Sequence, residues 1–157
     1  MNTKVAATEE VGVDLGELNQ SIGFLLRVAQ VSAFDRFFAA FGEIDLRPGE
    51  FSAMWVIRRN PGLRQGLLAD TLRIKAAHMT KMVRRLEDRG FIQRVIPDDD
   101  RRSVRLFLTS AGEKFVLAHR EAFLGQDDYH HHGLSPEDTA ELARLLRLYV
   151  DNGDATP

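Results

Sequence analysis

Apolar residues recur at helical spacing along the first quarter of the chain. Leu15, Leu18, Ile22, Leu25, Leu26, Ala29, Phe34, Phe37, Phe38 and Phe41 predict one helix from about Asp14 to Phe41, ended by Gly42. A helix of ~27 residues spans about 40 Å, more than a small globule covers, so part of this stripe is expected to meet a second subunit. Pro48 predicts the start of the next helix, because its fixed φ suits the first helical position. Phe51, Met54, Trp55 and Ile57 give that helix an apolar face, and Asn60-Pro61-Gly62 stops it.

A short helix is expected from about Arg64 to Leu72, with Leu67, Leu68 and Leu72 turned inward. After a tight turn at Arg73-Ile74, a second one runs from about Lys75 to Arg89. Its buried face is Met79, Met82, Val83 and Leu86, and Gly90 supplies a left-handed end. The period then changes to two. Phe91–Ile96 and Ser103–Leu108 read as strands, joined by the polar tip Pro97-Asp98-Asp99-Asp100-Arg101-Arg102. Ser110 with Glu113 has capping-box spacing and starts a helix through Phe115, Val116, Ala118, Ala122, Phe123 and Leu124. Ser135-Pro136 starts the last helix, which carries Leu142, Leu145, Leu146, Leu148 and Val150.

The fold this predicts is mainly α with a small β-hairpin. Two short helices, a tight turn and a hairpin follow the winged helix-turn-helix order, in which one helix enters the major groove of duplex DNA and the hairpin reaches the flanking groove or backbone. Charge strengthens the picture. The net charge is −2, yet Arg58 to Arg105 holds 13 Lys or Arg against 6 Asp or Glu, a local balance of +7, while the rest of the chain balances at −9. A basic middle between acidic flanks suits a polyanion-facing surface. There are no cysteines, which excludes a disulfide framework and thiolate metal ligands. No apolar run approaches the roughly 18 residues of a membrane span, and the first residues lack a secretory apolar segment, so a cytoplasmic protein with no membrane partner is expected. No Gly-rich phosphate loop, nucleophile elbow or paired-carboxylate arrangement appears, so neither enzymatic activity nor a cofactor is expected.

The candidate DNA-reading helix offers Lys75, Ala76, Ala77, His78, Thr80, Lys81, Arg84 and Arg85 on its polar face. Small Ala76 and Ala77 allow close approach and contact with thymine methyls; His78 and Lys81 reach base edges, Thr80 and Arg84 phosphates. Arg64 and Gln65 open the helix before it, and Arg94 lies on the first hairpin strand. At the hairpin tip Arg101 and Arg102 adjoin three aspartates, with Asp100 placed to orient one arginine while the other enters a narrow minor groove.

Leu68-Ala69, Leu72, Ile74, Met79-Thr80, Leu86-Glu87, Gly90-Phe91-Ile92, Arg94, Asp100-Arg101-Arg102, Leu108-Thr109 and Gly112 resemble the MarR family of bacterial regulators. The resemblance implies an obligate homodimer in which terminal helices interlock and each wing domain reads half of a pseudo-palindrome on double-stranded DNA. It implies repression relieved by a small aromatic effector, a phenol, an aromatic acid or its thioester. By position, Arg102 would be the minor-groove arginine and Asp100 its orienting partner. The layout becomes a flexible tail over 1–13, a dimerisation helix over 14–45, a winged helix-turn-helix over 46–109, C-terminal dimerisation helices over 110–150 and a flexible tail over 151–157. An effector slot is expected from Phe24 and Val28 on the first helix and Phe51, Met54, Trp55 and Arg58 on the second, an apolar site with one arginine for a carboxylate.

Three departures stand out. Arg47, Arg64 and Lys75 occupy positions where the family often places Ser or Thr, a loss of N-caps at roughly 0.5–2 kcal/mol each. The tip reads Pro97-Asp98 where the family more often has Asp-Pro. The lack of cysteine rules out the thiol-based sensing of some members. Two other readings remain: a metal-sensing regulator using His130-His131-His132, for which no tetrahedral ligand set completes itself, and a winged-helix module for protein partners.

Overall fold

The computed structural model describes residues 13–98, 103–124 and 133–152. The chain divides into two units between Asp35 and Arg36. The first unit holds a 3₁₀ turn, Gly16–Gln20, and the N-terminal part of helix α1, Ile22–Phe41. The single helix expected from Asp14 is therefore interrupted. Ser21 is extended, with ψ 115°, and its hydroxyl accepts from the Phe24 amide at 3.4 Å, while Asp14 accepts from the Gly16 amide at 2.9 Å. Both are local side-chain bonds that compete with a continuous helical ladder. Ile22, Leu25, Val28, Val31 and Phe34 are all exposed.

The second unit opens on the end of α1, where Phe37 and Phe41 turn into the core. A 3₁₀ turn, Gly42–Ile44, and Asp45 in the left-handed region at φ 51° lead to α2, Glu50–Arg59. Pro48 does not begin this helix. Gly49 holds the N-cap position at φ 87°, a conformation that a side chain would strain, and helical geometry starts only after it. Phe51, Ala53, Met54 and Ile57 of α2 are buried; the Phe51 ring stacks on Phe123 at 4.1 Å.

Next come β1, Leu63–Arg64, then α3, Gln65–Thr71, and α4, Ala76–Asp88. The turn between the two helices uses Arg73 at φ 53°. Leu67 is half exposed rather than inward, because Leu68 and Ala69 already fill the buried side of this short helix. β2, Ile92–Val95, and β3, Arg105–Leu108, form the hairpin, each shorter than its apolar alternation suggested. They pair antiparallel with Ile92 opposite Leu108 and Val95 opposite Arg105. β1 adds an unexpected third strand, pairing Leu63 with Leu106 and Arg64 with Arg105, in the order β1-β3-β2.

The segment after the sheet starts with α5, Ser110–Ala118. Its cap is Thr109, one residue before the expected Ser110: the threonine hydroxyl accepts from the Gly112 amide at 3.1 Å and donates to the Gly90 carbonyl at 2.6 Å. Glu113 does not complete a capping box, because its carboxylate is taken by Arg58 of α2 at 2.9 Å. The expected helix to Leu124 breaks at His119, whose Nδ1 lies 2.8 Å from the Phe115 carbonyl, and resumes as α6, Arg120–Leu124. The last element is α7, Pro136–Asn152, capped by Ser135, whose hydroxyl accepts from the Asp138 amide at 3.1 Å. No described residue of α7 is buried; Leu142, Leu145, Leu146 and Leu148 are between 36% and 48% exposed. Helix geometry persists to Asn152, past the residue 150 boundary drawn from the sequence.

The tip residues Asp100, Arg101 and Arg102, the His130–His132 cluster and most of both tails lie outside the described residues. Among the described residues no helix is long and apolar enough to cross a membrane.

Candidate nucleic-acid interface

α4 is two-faced as its period requires. Met79, Met82, Val83 and Leu86 are buried against the core, and Lys75, Ala76, Ala77, His78, Thr80, Lys81 and Arg84 are exposed. Among the described residues Lys75, His78, Lys81 and Arg84 have no side-chain hydrogen bond or ion pair, so their charge and donors stay available to an outside acceptor. Lys75 holds the N-cap position in extended geometry, ψ 138°, with no side-chain cap bond. Arg64 does the same for α3, with ψ 135°. The missing caps expected at these two positions are therefore real. The first amides of α4 lack an internal acceptor, an arrangement that favours an anion near them. Arg47 is not a cap at all; its amide donates to the Glu50 carboxylate at 2.9 Å.

Gln65 and Thr80 are brought together across the two helices. The Gln65 amide nitrogen donates to the Thr80 hydroxyl at 3.1 Å, and that hydroxyl donates to the Ala76 carbonyl at 3.0 Å. Thr80 thus spends its donor inside the protein, and what it offers a ligand is a methyl and an already engaged oxygen. Arg94 is similarly committed. Its Nε donates to Glu87 of α4 at 2.8 Å, and this hydrogen bond raises its pKa against the opposing effect of burial.

Arg85 faces the same side of α4 by spacing but is not an outward cation. Its guanidinium bonds Glu50 and, at 2.5 Å, Asp45. Burial alone would lower its pKa; the hydrogen bonds to Glu50 and Asp45 outweigh that and raise it. A cleft of about 430 Å³ runs beside this pair, lined by Arg47, Lys75, His78, Lys81 and Arg85, with Glu50 as the acid. A second cavity, about 460 Å³, lies between the start of α3 and the sheet, lined among others by Arg64, Gln65 and Ser103. The Ser103 hydroxyl is buried and has no hydrogen-bond partner among the described residues.

The residues expected to line an effector slot fall in different places. Phe24 is half buried and Val28 exposed, both in the first unit. Phe51 and Met54 are fully buried in the core of the second unit, whereas Trp55 is half buried, its ring 6.3 Å from that of Phe51. Arg58 pairs with Glu113 at 2.9 Å and lies 5.8 Å from the Trp55 ring centre. Sequence reasoning passed over Glu50 and Asp45. An acid in the first turn of a helix is so often a dipole partner that its burial against two arginines leaves no trace in the pattern.

The MarR family model matches residues 46–104. A putative transcriptional regulatory protein for the hcr operon of Thauera aromatica is 30% identical over 143 residues, covering 90% of this chain and 86% of that protein. The transcriptional repressor CouR bound to a 23-mer DNA duplex is similar in structure, with TM-score 0.80, 28% identity and coverage of 88% of this chain and 99% of that one. CouR bound to p-coumaroyl-CoA gives TM-score 0.78, 25% identity and coverage of 88% and 98%.

Proposed function

The chain belongs to the MarR family of DNA-binding transcriptional regulators, which are not enzymes, and we propose that it acts as a homodimeric repressor released from a pseudo-palindromic operator by a small aromatic effector. The observation that carries the DNA reading is the polar face of α4: Lys75, His78, Lys81 and Arg84, without side-chain partners among the described residues, mounted on a helix whose other face is buried. In this reading residues 46–109 form the DNA-binding lobe. α4 lies in the major groove, with Ala76, Ala77, His78 and Lys81 toward base edges and Arg64, Gln65, Lys75 and Arg84 toward phosphates. Thr80 and Arg94 serve by holding the lobe, and Arg102, with Asp100 as its orienting partner and Arg101 beside it, enters the minor groove.

Dimerisation is supported by α7 and by the outer part of α1, taken separately. Each exposes a row of large apolar side chains that a monomer would leave in water. Burying them against a second copy returns roughly 25 cal/mol per Å² of apolar surface. Residues 14–45 and 110–150 are assigned to that role. The effector class is supported by the likeness to CouR bound to p-coumaroyl-CoA and by Trp55, the half-buried aromatic next to Arg58. An aromatic acid or its thioester is the ligand we assign.

The test is fluorescence anisotropy with a duplex from the chain's own upstream DNA, together with sedimentation equilibrium. A dimer that binds this duplex far more tightly than an unrelated one, and leaves it on addition of p-coumaroyl-CoA or 4-hydroxycinnamate, is the expected result. A monomer with equal affinity for both duplexes would overturn the reading; tight binding that neither compound disturbs would remove the effector class alone.

A further inference from the structure

Two arginines four residues apart, Arg85 on α4 and Arg89 at its C-cap, are held by the chain between the end of α1 and the start of α2. Arg85 donates through Nη1 to Glu50 Oε1, and through Nη2 to the Asp45 carbonyl at 2.8 Å and the Asp45 carboxylate at 2.5 Å. Arg89 donates through Nη1 to the Asp45 carbonyl and through Nη2 to the Ile44 carbonyl, both at 2.9 Å. Its Nη1 also lies 3.8 Å from Glu50 Oε2, the oxygen that accepts from the Arg47 amide. Glu50 is 1% exposed, and Asp45 is kept in the left-handed region at φ 51°.

We infer that Glu50, with Asp45, is a positioning device for the recognition helix: it fixes the rotation at which Lys75, His78 and Lys81 meet DNA and withholds Arg85 from the phosphates. This rests on the reading of α4 as the DNA-reading helix. The buried face of α4 does not fix that rotation closely by itself. Apolar contact is non-directional, and two of its four buried residues, Met79 and Met82, have flexible side chains that repack readily. A guanidinium is planar and donates along fixed directions, so two of them bound to four backbone or carboxylate groups set an orientation as well as an energy. A buried ion pair is a weak source of net stability, because desolvation offsets most of its attraction, but a sharp source of geometry.

The geometry of the cleft gives the inference a second consequence. Arg85 lines it together with Lys75, His78 and Lys81, so its guanidinium stands beside the side chains assigned to DNA. With Glu50 in place its charge is answered inside the protein. Without that carboxylate, only the Asp45 side chain, 80% exposed, answers the charge; a solvent-exposed pair is weak, so phosphate competes for the guanidinium whatever the base sequence.

The experiment is Glu50→Gln, which keeps the shape and removes the charge, in the full-length dimer. Affinity is measured by anisotropy for the duplex from the chain's own upstream DNA and for an unrelated duplex of equal length, across a salt series. The expected result is opposite movement. Operator affinity falls about tenfold because the base contacts lose register. Affinity for the unrelated duplex rises about threefold, with a salt slope steeper by roughly one unit, as one more cation meets phosphate. A parallel fall in both affinities means the carboxylate only supports the fold and overturns the inference. So does an unchanged ratio, or a parallel rise from the lost negative charge alone. Asp45→Asn covers the case in which the buried variant fails to fold, since the Asp45 side chain is 80% exposed. It should stay folded and still lower the ratio of operator to unrelated affinity, and a ratio like that of the parent overturns the inference. If the parent protein binds no DNA, it is the regulator reading that has failed.

Discussion

Replacing Gly112 with alanine would place a Cβ 2.0 Å from the Phe91 carbonyl oxygen and 3.0 Å from its carbon. The obstacle is backbone, which cannot swing aside, so α5 must retreat from the α4–β2 junction. That retreat acts on the bonds joining them: Thr109 amide to Phe91 carbonyl at 3.0 Å, and Thr109 hydroxyl to Gly90 carbonyl at 2.6 Å. Losing two hydrogen bonds costs about 1 kcal/mol each. Overpacking of a tight site adds about 1–3 kcal/mol. The expected loss is therefore about 3–5 kcal/mol, a large share of the ~5–15 kcal/mol available to an ordinary domain. Gly66 is the control. An added Cβ there meets nothing within 4 Å, and its place in α3 is helical, so Gly66→Ala should gain roughly 0.4–1 kcal/mol. Urea midpoints at one fixed protomer concentration measure both, because a dimer's stability depends on concentration. A Gly112→Ala protein within about 1 kcal/mol of its parent would refute the close-approach argument.

Arg64 has no side-chain partner among the described residues, whereas Arg94 is engaged by Glu87 at 2.8 Å. Arg64→Ala should flatten the plot of log affinity against log salt by roughly one unit, and Arg94→Ala by clearly less; equal effects would contradict the pairing as a determinant of phosphate contact. Asp45 is held below its ordinary carboxylate pKa of 3.8, chiefly by the hydrogen bond from Arg85 and by its charge. A depressed folded value stabilises above the ordinary range, and the contribution is lost as the pH falls through that lower value. Asp45→Asn should accordingly lose less stability than the parent on acidification below about pH 4, and superimposable acid-unfolding curves would rule the pair out as a contributor.

The long-period features were legible because burial of one face imposes them. Met79, Met82, Val83 and Leu86 announced α4, and the switch to alternation announced β2 and β3. Features set by single side chains were not. β1 has two residues, too few to alternate, and exists because Leu63 and Arg64 find a partner edge on β3. The starts of α1, α2 and α5 slid because Ser21, Gly49 and Thr109 hold the turns just before them, next to residues of equal capping promise. Arg85 read as a surface cation, since nothing in the spacing reveals that an acid 35 positions earlier is buried against it.

The most specific string in the sequence, Leu-Glu-x-x-Gly to Leu-Thr-x-x-Gly, proves to be largely scaffold. Glu87 anchors Arg94; Gly90 offers its carbonyl to the Thr109 hydroxyl at 2.6 Å; Gly112 is where α5 touches the Phe91 carbonyl. Each residue type follows from a close approach or a directional bond that few alternatives satisfy. The polar face of α4 is under the opposite constraint. Lys75, Ala77, His78 and Lys81 have no described side-chain hydrogen bond or ion pair, so the fold sets no condition on which of them stands where. Changes there alter what is read without altering the lobe that reads it. The same division explains why the chain declares a DNA-binding lobe from its scaffold residues yet leaves its operator unspecified: base choice resides in the side chains that folding does not dictate.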